Sequence, residues 1–157
     1  MPNLFASALI VLAIDQVTKF YVINSLNLRE LGSIELFPPF LNLRMAWNRG
    51  INFGIFAADS EYLRWLFVGI AAAISIALIW WGVCRAQSSF SKAMAGCVVG
   101  GAAGNAADRI SEGAVADFLN VSCCGIENPW VFNFADIGIV CGALGIALFS
   151  AKLEHRS

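Results

Sequence analysis

Long apolar runs alternate with short polar segments along this chain, and four of the runs approach the length of a membrane-crossing helix. A hydrocarbon layer of about 30 Å needs about 20 residues of helix. The second run is the clearest, because no charged residue follows Arg64 within it. The predicted spans are 4–23, 63–84, 93–110 and 132–151. The pattern therefore predicts an all-α membrane protein with four transmembrane helices.

The segment between the first two spans, 24–61, has a different pattern. It contains glycines and prolines among short alternating runs at 34–37 and 40–45. Such runs, bounded by turn residues, are typical of short strands. We therefore expect an outer loop with a small extramembrane β-structure. No Ser-, Gly- or Pro-rich linker divides the chain, so 1–157 is predicted to be a single domain.

Composition supports the membrane interpretation and narrows the partners. Hydrophobic residues make up 59% of the chain and charged residues only 13%, which lies outside the range of ordinary soluble domains. The net charge is -1 and the lysines and arginines are scattered, so no basic surface for nucleic acid is expected. The first apolar run lacks a basic leading region and a convincing cleavage site, and we interpret it as a retained span.

The distribution of basic residues in the short loops predicts the orientation. Arg85 and Lys92 flank the connection between spans two and three, and Lys152 and Arg156 follow span four. Basic residues are enriched on the cytoplasmic side of membrane proteins. Both termini are therefore predicted to be cytoplasmic. Three arginines in the outer loop oppose this bias, but four acidic residues accompany them.

This topology gathers charged side chains at the outer membrane surface. One pair lies in the later half of span one, another ends span three, one aspartate lies in the following loop and one opens span four. These residues are Asp15, Lys19, Asp108, Arg109, Asp117 and Asp136. A charge at the centre of a span costs roughly 2.5–3.5 kcal/mol on insertion scales, so such groups usually face a polar cavity. We expect a shared polar cleft.

The residue types that remain for chemistry are carboxylates. The only histidine, His155, lies near the C-terminus on the predicted cytoplasmic side, which argues against Ser-His and Cys-His catalysis and His-rich zinc sites. The five cysteines show no CxxC spacing, so no metal site is expected. Two neighbouring aspartates can share one proton and activate water against an amide. Asp117 and Asp136 are the candidates for such a pair.

Spacing alone leaves other interpretations open. Asp15 and Lys19, four residues apart, fit a structural ion pair, and Asp136 fits a helix cap. Asp108 with Arg109 and Glu112 fits an interfacial charge cluster. A small proton-coupled transporter and a non-catalytic membrane scaffold are the alternative functions. The one-sided placement of the charges argues against a proton relay, which needs acidic groups spaced through the bilayer.

Helical spacing suggests further contacts. Asn105 and Arg109 lie one turn apart, and Asn133 precedes Asp136 by three, so its amide is expected to reach that carboxylate. Glycines recur at every fourth position before Asn105, which predicts a close helix approach. These glycines are Gly96, Gly100 and Gly104.

Four blocks of sequence, in order along the chain, resemble the lipoprotein signal peptidase (signal peptidase II) family. They are Asp15-Gln-Val-Thr-Lys19, Asn48-Arg-Gly-Ile-Asn-Phe53, Gly101-Ala-Ala-Gly-Asn-Ala-Ala-Asp-Arg109 continuing to Val115-Ala-Asp-Phe118, and Phe132-Asn-Phe-Ala-Asp136. Arg49 and Phe134 depart from the residues usual in the family, which affects the expected substrate fit and not the chemistry.

The resemblance implies an aspartic endopeptidase that removes the signal peptide from diacylglyceryl-modified prolipoproteins, cutting just before the lipidated cysteine. It implies no metal or organic cofactor. The expected location is the bacterial plasma (inner) membrane, with the active site near the periplasmic face. The expected partners are lipid-modified prolipoproteins and membrane lipids, and the chain is expected to be a monomer.

The family motifs also imply roles for individual residues. Asp117 and Asp136 are the catalytic pair. Residues that position this pair or the substrate backbone are Asn48, Asn105, Arg109 and Asn133. Asp15, Lys19 and Asp108 are supporting residues. The loop from Asn48 to Phe53, with hinges at Gly50 and Gly54, is expected to close over the substrate as a lid.

Overall fold

A computed structural model of the chain describes residues 1–50, 61–86, 88–123 and 128–150. It is mainly helical, with a small three-stranded sheet. The helices are α1 Pro2–Phe20, α2 Leu28–Leu31, α3 Glu61–Cys84, α4 Ser89–Glu112 and α5 Phe134–Gly145, and the strands are β1 Ser33–Phe37, β2 Leu41–Asn48 and β3 Val115–Val121. Helices α1 and α5 continue as single π-helical turns, Tyr21–Ser25 and Ile146–Ser150.

Helix α4 lies at the centre of the helical bundle and packs against α1, α3 and α5. Its glycines allow the close approach that the sequence predicts. A methyl group at Gly100 would clash with the backbone carbonyl of Ala8 in α1, and one at Gly101 would clash with the carbonyl of Ala135 in α5. The backbones of α1 and α5 therefore contact α4 on two sides. These contacts fix how far each helix is shifted along its axis relative to α4, and so they fix the positions of the polar residues that the helices carry.

Replacing Gly100 with alanine is expected to lower the stability of the folded protein in detergent. The added methyl group meets backbone atoms of α1, which move only if the helix shifts, and overpacking of this kind costs about 1–3 kcal/mol. Thermal unfolding in detergent measures the effect. Gly69→Ala in α3 is the control, because nothing lies within 4 Å of its added methyl group. Equal unfolding temperatures for the two variants would contradict the packing account.

Two described helical segments, Pro2–Ser25 and Glu61–Cys84, are long and apolar enough to cross a membrane, and Phe134–Phe149 is a shorter apolar helix. Their outward faces expose large apolar side chains, among them Leu9, Val17 and Ile76. Helix α4 is the least apolar of the long helices, since its central position selects glycine and alanine in place of large side chains. Hydropathy therefore marks the outer helices more clearly than the central one.

The sheet has the order β1-β2-β3 and is antiparallel throughout. Strands β1 and β2 pair as a hairpin within the segment where the sequence predicts a small extramembrane β-structure. The third strand corrects the sequence prediction, because Asp117 lies in β3, opposite Ala46 of β2, and not in a loop. Alternation does not reveal β3, since six of its seven residues are buried. The sheet packs through Leu43 and Phe118 on the turn after α1 and on α2.

Candidate active site

Asp117 is buried in β3, and each of its carboxylate oxygens accepts a hydrogen bond from an asparagine. Nδ2 of Asn48, at the end of β2, lies 3.1 Å from Oδ2, and Nδ2 of Asn133 lies 2.6 Å from Oδ1. The sheet register places Asn48 beside Asp117, since Asn48 pairs with Val115. Strand β3 therefore directs the carboxylate of Asp117 toward the amides of Asn48, in β2, and Asn133, at the start of α5.

Asp136 lies in the first turn of α5, where the helix dipole favours negative charge. Asn133 is the N-cap of this helix: its side-chain oxygen accepts from the N–H of Asp136 at 2.9 Å, and its own N–H donates to Oδ2 of Asp136 at 3.2 Å. This reciprocal capping box confirms that Asp136 contributes to the cap. From α4, Nδ2 of Asn105 donates to Oδ1 of Asp136 at 2.8 Å.

Asn133 is the residue that joins the two aspartates. It is fully buried, and it contacts Asp136 through its backbone and its side-chain oxygen while its Nδ2 donates to Asp117. The expected contact between its side-chain amide and the Asp136 carboxylate is wrong. The N-cap geometry turns the amide oxygen toward the helix N–H groups, and the amide nitrogen then points to Asp117.

Burial raises the pKa of Asp117 from 3.8 to about 7, and the negative charge of Asp136 adds to the increase. The hydrogen bonds from Asn48 and Asn133 and the positive charge of Lys19 act in the opposite direction. Loss of hydration outweighs these stabilising contacts because the carboxylate is almost completely enclosed. A carboxyl group whose pKa lies near neutral pH is suited to general acid or base catalysis.

Arg109, in the last turn of α4, brings a positive charge to the same region. Its guanidinium lies 5.0 Å from the centre of the Phe67 ring in α3, and one of its N–H groups donates to the backbone oxygen of Asn105 at 3.4 Å. The negative charges of Asp117 and Asp136 act on it. Among the described residues, no carboxylate lies within ion-pair distance of Arg109. The Phe67 ring and the backbone oxygen of Asn105 are the groups that orient its guanidinium.

Asp15 and Lys19 form the ion pair that their spacing predicts, with 2.7 Å between Nζ and Oδ2. Asp108 joins them, with its Oδ2 also 2.7 Å from Nζ. The alternative interpretation, an interfacial charge cluster of Asp108 with Arg109 and Glu112, does not account for these contacts, because Asp108 pairs with Lys19 and Glu112 pairs with Arg29. The packing of α4 on α1 decides that the side chain of Asp108 points to Lys19. This packing cannot be inferred from the spacing of residues within α4 alone.

Gln16 is a polar residue of this cluster to which the sequence interpretation assigned no role. Its Nε2 lies 3.1 Å from an oxygen of Asp15 and 3.0 Å from an oxygen of Asp108. Its position beside Asp15 inside a predicted span was the available signal, because an amide in that place needs hydrogen-bond partners.

The lid expected from Asn48 to Gly54 lies mostly outside the described residues, which resume at 61. Within them, the N–H of Gly50 donates to Oδ1 of Asn48 at 3.2 Å, so the start of this segment is tied to an asparagine that contacts Asp117. Cys124, which follows Cys123 directly in the sequence, and His155 also lie outside the described part. In the ranges that the structure describes, no three His, Cys, Asp or Glu residues are grouped to hold a metal ion.

A helical bundle with apolar outer faces and a buried carboxylate cluster toward one end is the architecture of a membrane-embedded enzyme. Residues 7–152 match the family model described as signal peptidase (SPase) II. The chain belongs to the signal peptidase II family. It is therefore a bacterial membrane protein and a protease.

Individual relatives are similar over nearly their whole length. A lipoprotein signal peptidase from Methylobacterium sp. (strain 4-46) is 39% identical over 151 residues, which cover 96% of this chain and 90% of the relative. One from Caulobacter vibrioides is 36% identical, covering 98% and 92%. A bacterial membrane enzyme solved by the in meso method at 2.3 Å resolution has a TM-score of 0.81 and 30% identity, covering 100% of this chain and 91% of that one.

Proposed function

We propose that this chain is an aspartic endopeptidase that removes the signal peptide from diacylglyceryl-modified prolipoproteins, cutting before the lipidated cysteine, with Asp117 and Asp136 as its catalytic pair. The observation that carries the proposal is the bridge through Asn133, which contacts both carboxylates. The name lipoprotein signal peptidase, shared by the relatives, supports the substrate class.

The two carboxylates are suited to different roles at neutral pH. Asp136 lies at a helix start and accepts hydrogen bonds from Asn105 and from the N–H of Asn133, so it is placed to act as the general base. Asp117, with its pKa near 7, holds the proton and acts as the general acid. Their titration belongs to the pair as a unit.

The proposed reaction follows from these roles. Asp136 takes a proton from a water molecule as the water oxygen attacks the carbonyl carbon before the lipidated cysteine. Asp117 donates its proton to the carbonyl oxygen, which gives a neutral tetrahedral intermediate. Collapse of the intermediate breaks the C–N bond, with the proton on Asp136 passing to the leaving amine and the hydroxyl proton returning to Asp117. The pair ends in its starting protonation state.

Arg109 and Asn48 are proposed to hold the substrate backbone beside the catalytic pair. Arg109 has N–H groups that no described carboxylate binds, and Asn48 lies at the end of β2 next to Asp117. Donors placed in this way stabilise developing negative charge on a carbonyl oxygen without reorganising. Gly50 donates its N–H to Oδ1 of Asn48 and so helps to orient this side chain.

The membrane arrangement is proposed from the same features. Helices α3 and α4 contain 24 residues each, about 36 Å of helix, which is enough to cross the hydrocarbon layer. With α1 and α5 they form four spans of one domain, which we propose is a monomer in contact with membrane lipids. Both termini are then cytoplasmic, and the carboxylates lie near the periplasmic face. A substrate anchored by its acyl chains reaches this face within the plane of the membrane.

Cleavage of a synthetic diacylglyceryl prolipoprotein peptide by the purified protein in detergent tests the function. We expect one cut, directly before the lipidated cysteine, located by mass spectrometry and unaffected by a chelator. The same peptide with an unmodified cysteine is the matched control and should be cut at least about 10-fold more slowly, because it lacks the acyl chains that supply remote binding energy. No cleavage by folded protein, or equal cleavage of both peptides, would reject the proposed substrate class.

The pH profile of cleavage tests the assignment of the proton to Asp117. Rising pH removes the proton that the general acid must donate, so kcat is expected to fall as the pH rises through about 7. Asn48→Leu removes a hydrogen bond that stabilises the ionised form of Asp117, so this decline should move to higher pH in that variant. A decline that moves to lower pH, or a parent kcat that keeps increasing through this range, would contradict the assignment.

A further inference from the structure

The buried cluster of Asp15, Lys19 and Asp108 makes two contacts that an ion pair alone does not explain. Oδ2 of Asp108 accepts a hydrogen bond from the backbone N–H of Ala116 at 3.1 Å. Oδ1 of Asp15 accepts one from the backbone N–H of Ala135 at 2.9 Å. Ala116 directly precedes Asp117, and Ala135 directly precedes Asp136. Each acidic member of the cluster therefore binds the backbone N–H of the residue that precedes one aspartate of the proposed catalytic pair.

The burial of this cluster is costly. The exposed fractions of Asp15, Lys19 and Asp108 are 0%, 4% and 6%. Removing charges from water costs several kcal/mol per ion, and apolar residues of similar volume often stabilise a protein as well or better. Helix packing alone therefore does not require these charges. Apolar residues could not accept the hydrogen bonds from the N–H groups of Ala116 and Ala135, which the carboxylate oxygens of Asp108 and Asp15 accept.

Lys19 links the two acidic residues and also orients a third group. Its Nζ lies 2.7 Å from an oxygen of each carboxylate and 3.4 Å from Oδ1 of Asn105. A lysine can only donate, so it requires the oxygen of the Asn105 amide to face it. The nitrogen of that amide then faces Asp136, to which it donates. Nδ2 of Asn133 donates to the same Oδ1 of Asn105 at 3.1 Å, so the cation and this amide together determine the direction of the group that contacts the proposed base.

We propose that Asp15, Lys19 and Asp108 are positioning residues: the two carboxylates hold the N–H groups of Ala116 and Ala135, the shared cation holds the two carboxylates together, and this sets the separation of Asp117 and Asp136. This inference rests on the proposed function, because it takes those two aspartates as the catalytic pair. The pair comes from two separate elements, β3 and α5, and a displacement of about 1 Å between reacting groups can lower a rate about 100-fold. A backbone contact at the neighbouring residue leaves little rotational freedom to the strand and the helix start.

Replacing Asp108 separates this positioning from general stability. Asp108→Ala removes the acceptor of the Ala116 N–H, and kcat is expected to fall about 100-fold with KM within about twofold of the parent, since only the reacting groups are displaced. Asp108→Asn keeps an oxygen that can accept the same N–H, so it should recover most of the lost kcat. Glu112→Gln, one turn later in α4, is the control: its ion pair with Arg29 is half exposed, and kcat should not change.

The Ala116 N–H can be observed directly, without reference to activity. Val115–Ala116 is the only Val-Ala step in the sequence, so carbonyl-¹³C valine combined with ¹⁵N alanine isolates this one amide by NMR. In the parent its proton is expected downfield, as for an amide bound to a carboxylate. It should move upfield in Asp108→Ala, less so in Asp108→Asn, and not at all in Glu112→Gln.

The proposal requires that kcat and the Ala116 resonance change together. An upfield resonance with a parental kcat overturns it, and so does a reduced kcat with an unmoved resonance. If Asp108→Ala does not fold, the kcat and the Ala116 resonance of Asp108→Asn are compared with those of the parent, and the same criterion applies. The outcomes remain distinct from failure of the proposed function, in which the parent does not cut or Asp117→Asn keeps its activity. The positioning role alone fails if Asp108→Ala keeps its kcat while Asp117→Asn is inactive.

Discussion

Asp117→Asn and Asp136→Asn are each expected to reduce kcat for prolipoprotein cleavage by about 10³-fold or more. General acid–base catalysis contributes about 10²–10⁴-fold, and the proposed steps pass a proton through both carboxyl groups. An amide of the same shape can neither hold nor release that proton at neutral pH. The measurement is the rate of cleavage of a diacylglyceryl peptide at saturating concentration, with equal amounts of folded variant and parent.

The matched control for this pair is Glu112→Gln, which makes the same chemical change at a half-exposed carboxylate whose partner is Arg29. It should cut at the parental rate. If either active-site variant kept more than about a tenth of the parental kcat, its loss would fall below the contribution of general acid–base catalysis, and that aspartate would not be part of the catalytic pair.

The same substitution at Asp117 should leave the protein at least as stable as the parent at alkaline pH. Because the pKa of Asp117 is raised in the folded state, from 3.8 to about 7, ionising it opposes folding. This unfavourable contribution is absent at pH values below 3.8 and is complete above about 7. Asp117→Asn removes it, so thermal unfolding above pH 7 should occur at the parental temperature or higher. Loss of activity would then not reflect loss of structure.

Asn133→Ser is expected to reduce kcat by about 100-fold while the cap of α5 is retained. Serine is a good N-cap, so it keeps the hydrogen bond to the first turn of α5. Its hydroxyl group is too short to replace the amide that donates to Asp117 at 2.6 Å. Positioning losses of this kind reach about 10²-fold. Cleavage kinetics and thermal unfolding in detergent, measured on one preparation, separate the two effects.

Two further variants complete this test. Asn133→Ala loses the cap as well, and its folded state should be about 1 kcal/mol less stable than that of the serine variant. Asn120→Ala removes another buried asparagine of the same region, whose amide donates to the backbone oxygens of Asn128 and Trp130 and not to a carboxylate. It should lose stability without a comparable loss of kcat. A serine variant that cuts at the parental rate would show that the bridge to Asp117 is dispensable.

Much of the architecture could be predicted from local pattern. The four apolar runs correspond to helices α1, α3, α4 and α5, and the alternating segments of the outer loop correspond to strands β1 and β2. These features are recoverable because each is encoded by neighbouring residues, through apolar length for a span and through alternation between turns for a strand. The glycine spacing in α4 likewise predicted a close helix approach, which the contacts with α1 and α5 confirm.

The residue types of the candidate site were predictable from the sequence, and the geometry of the site was not. The single histidine and the spacing of the cysteines left carboxylates as the candidates, and the four motif blocks singled out Asp117 and Asp136. The placement of Asp117 in a strand was missed, because β3 is buried along nearly all of its length and shows no alternation. A strand of this kind is defined by its partner β2, about 70 residues earlier in the chain.

The sequence by itself determined the helices, the β-structure of the outer loop, the glycines at every fourth position of α4 and the types of residue available for catalysis, since these depend on composition and on neighbours within a few turns. Only the tertiary structure decided the direction of each polar side chain. Asn133 faces Asp117 because the cap of α5 engages its oxygen, and Asp108 faces Lys19 because α4 packs against α1. Such directions depend on groups far apart in the chain, which meet only when the helices and the sheet have assembled.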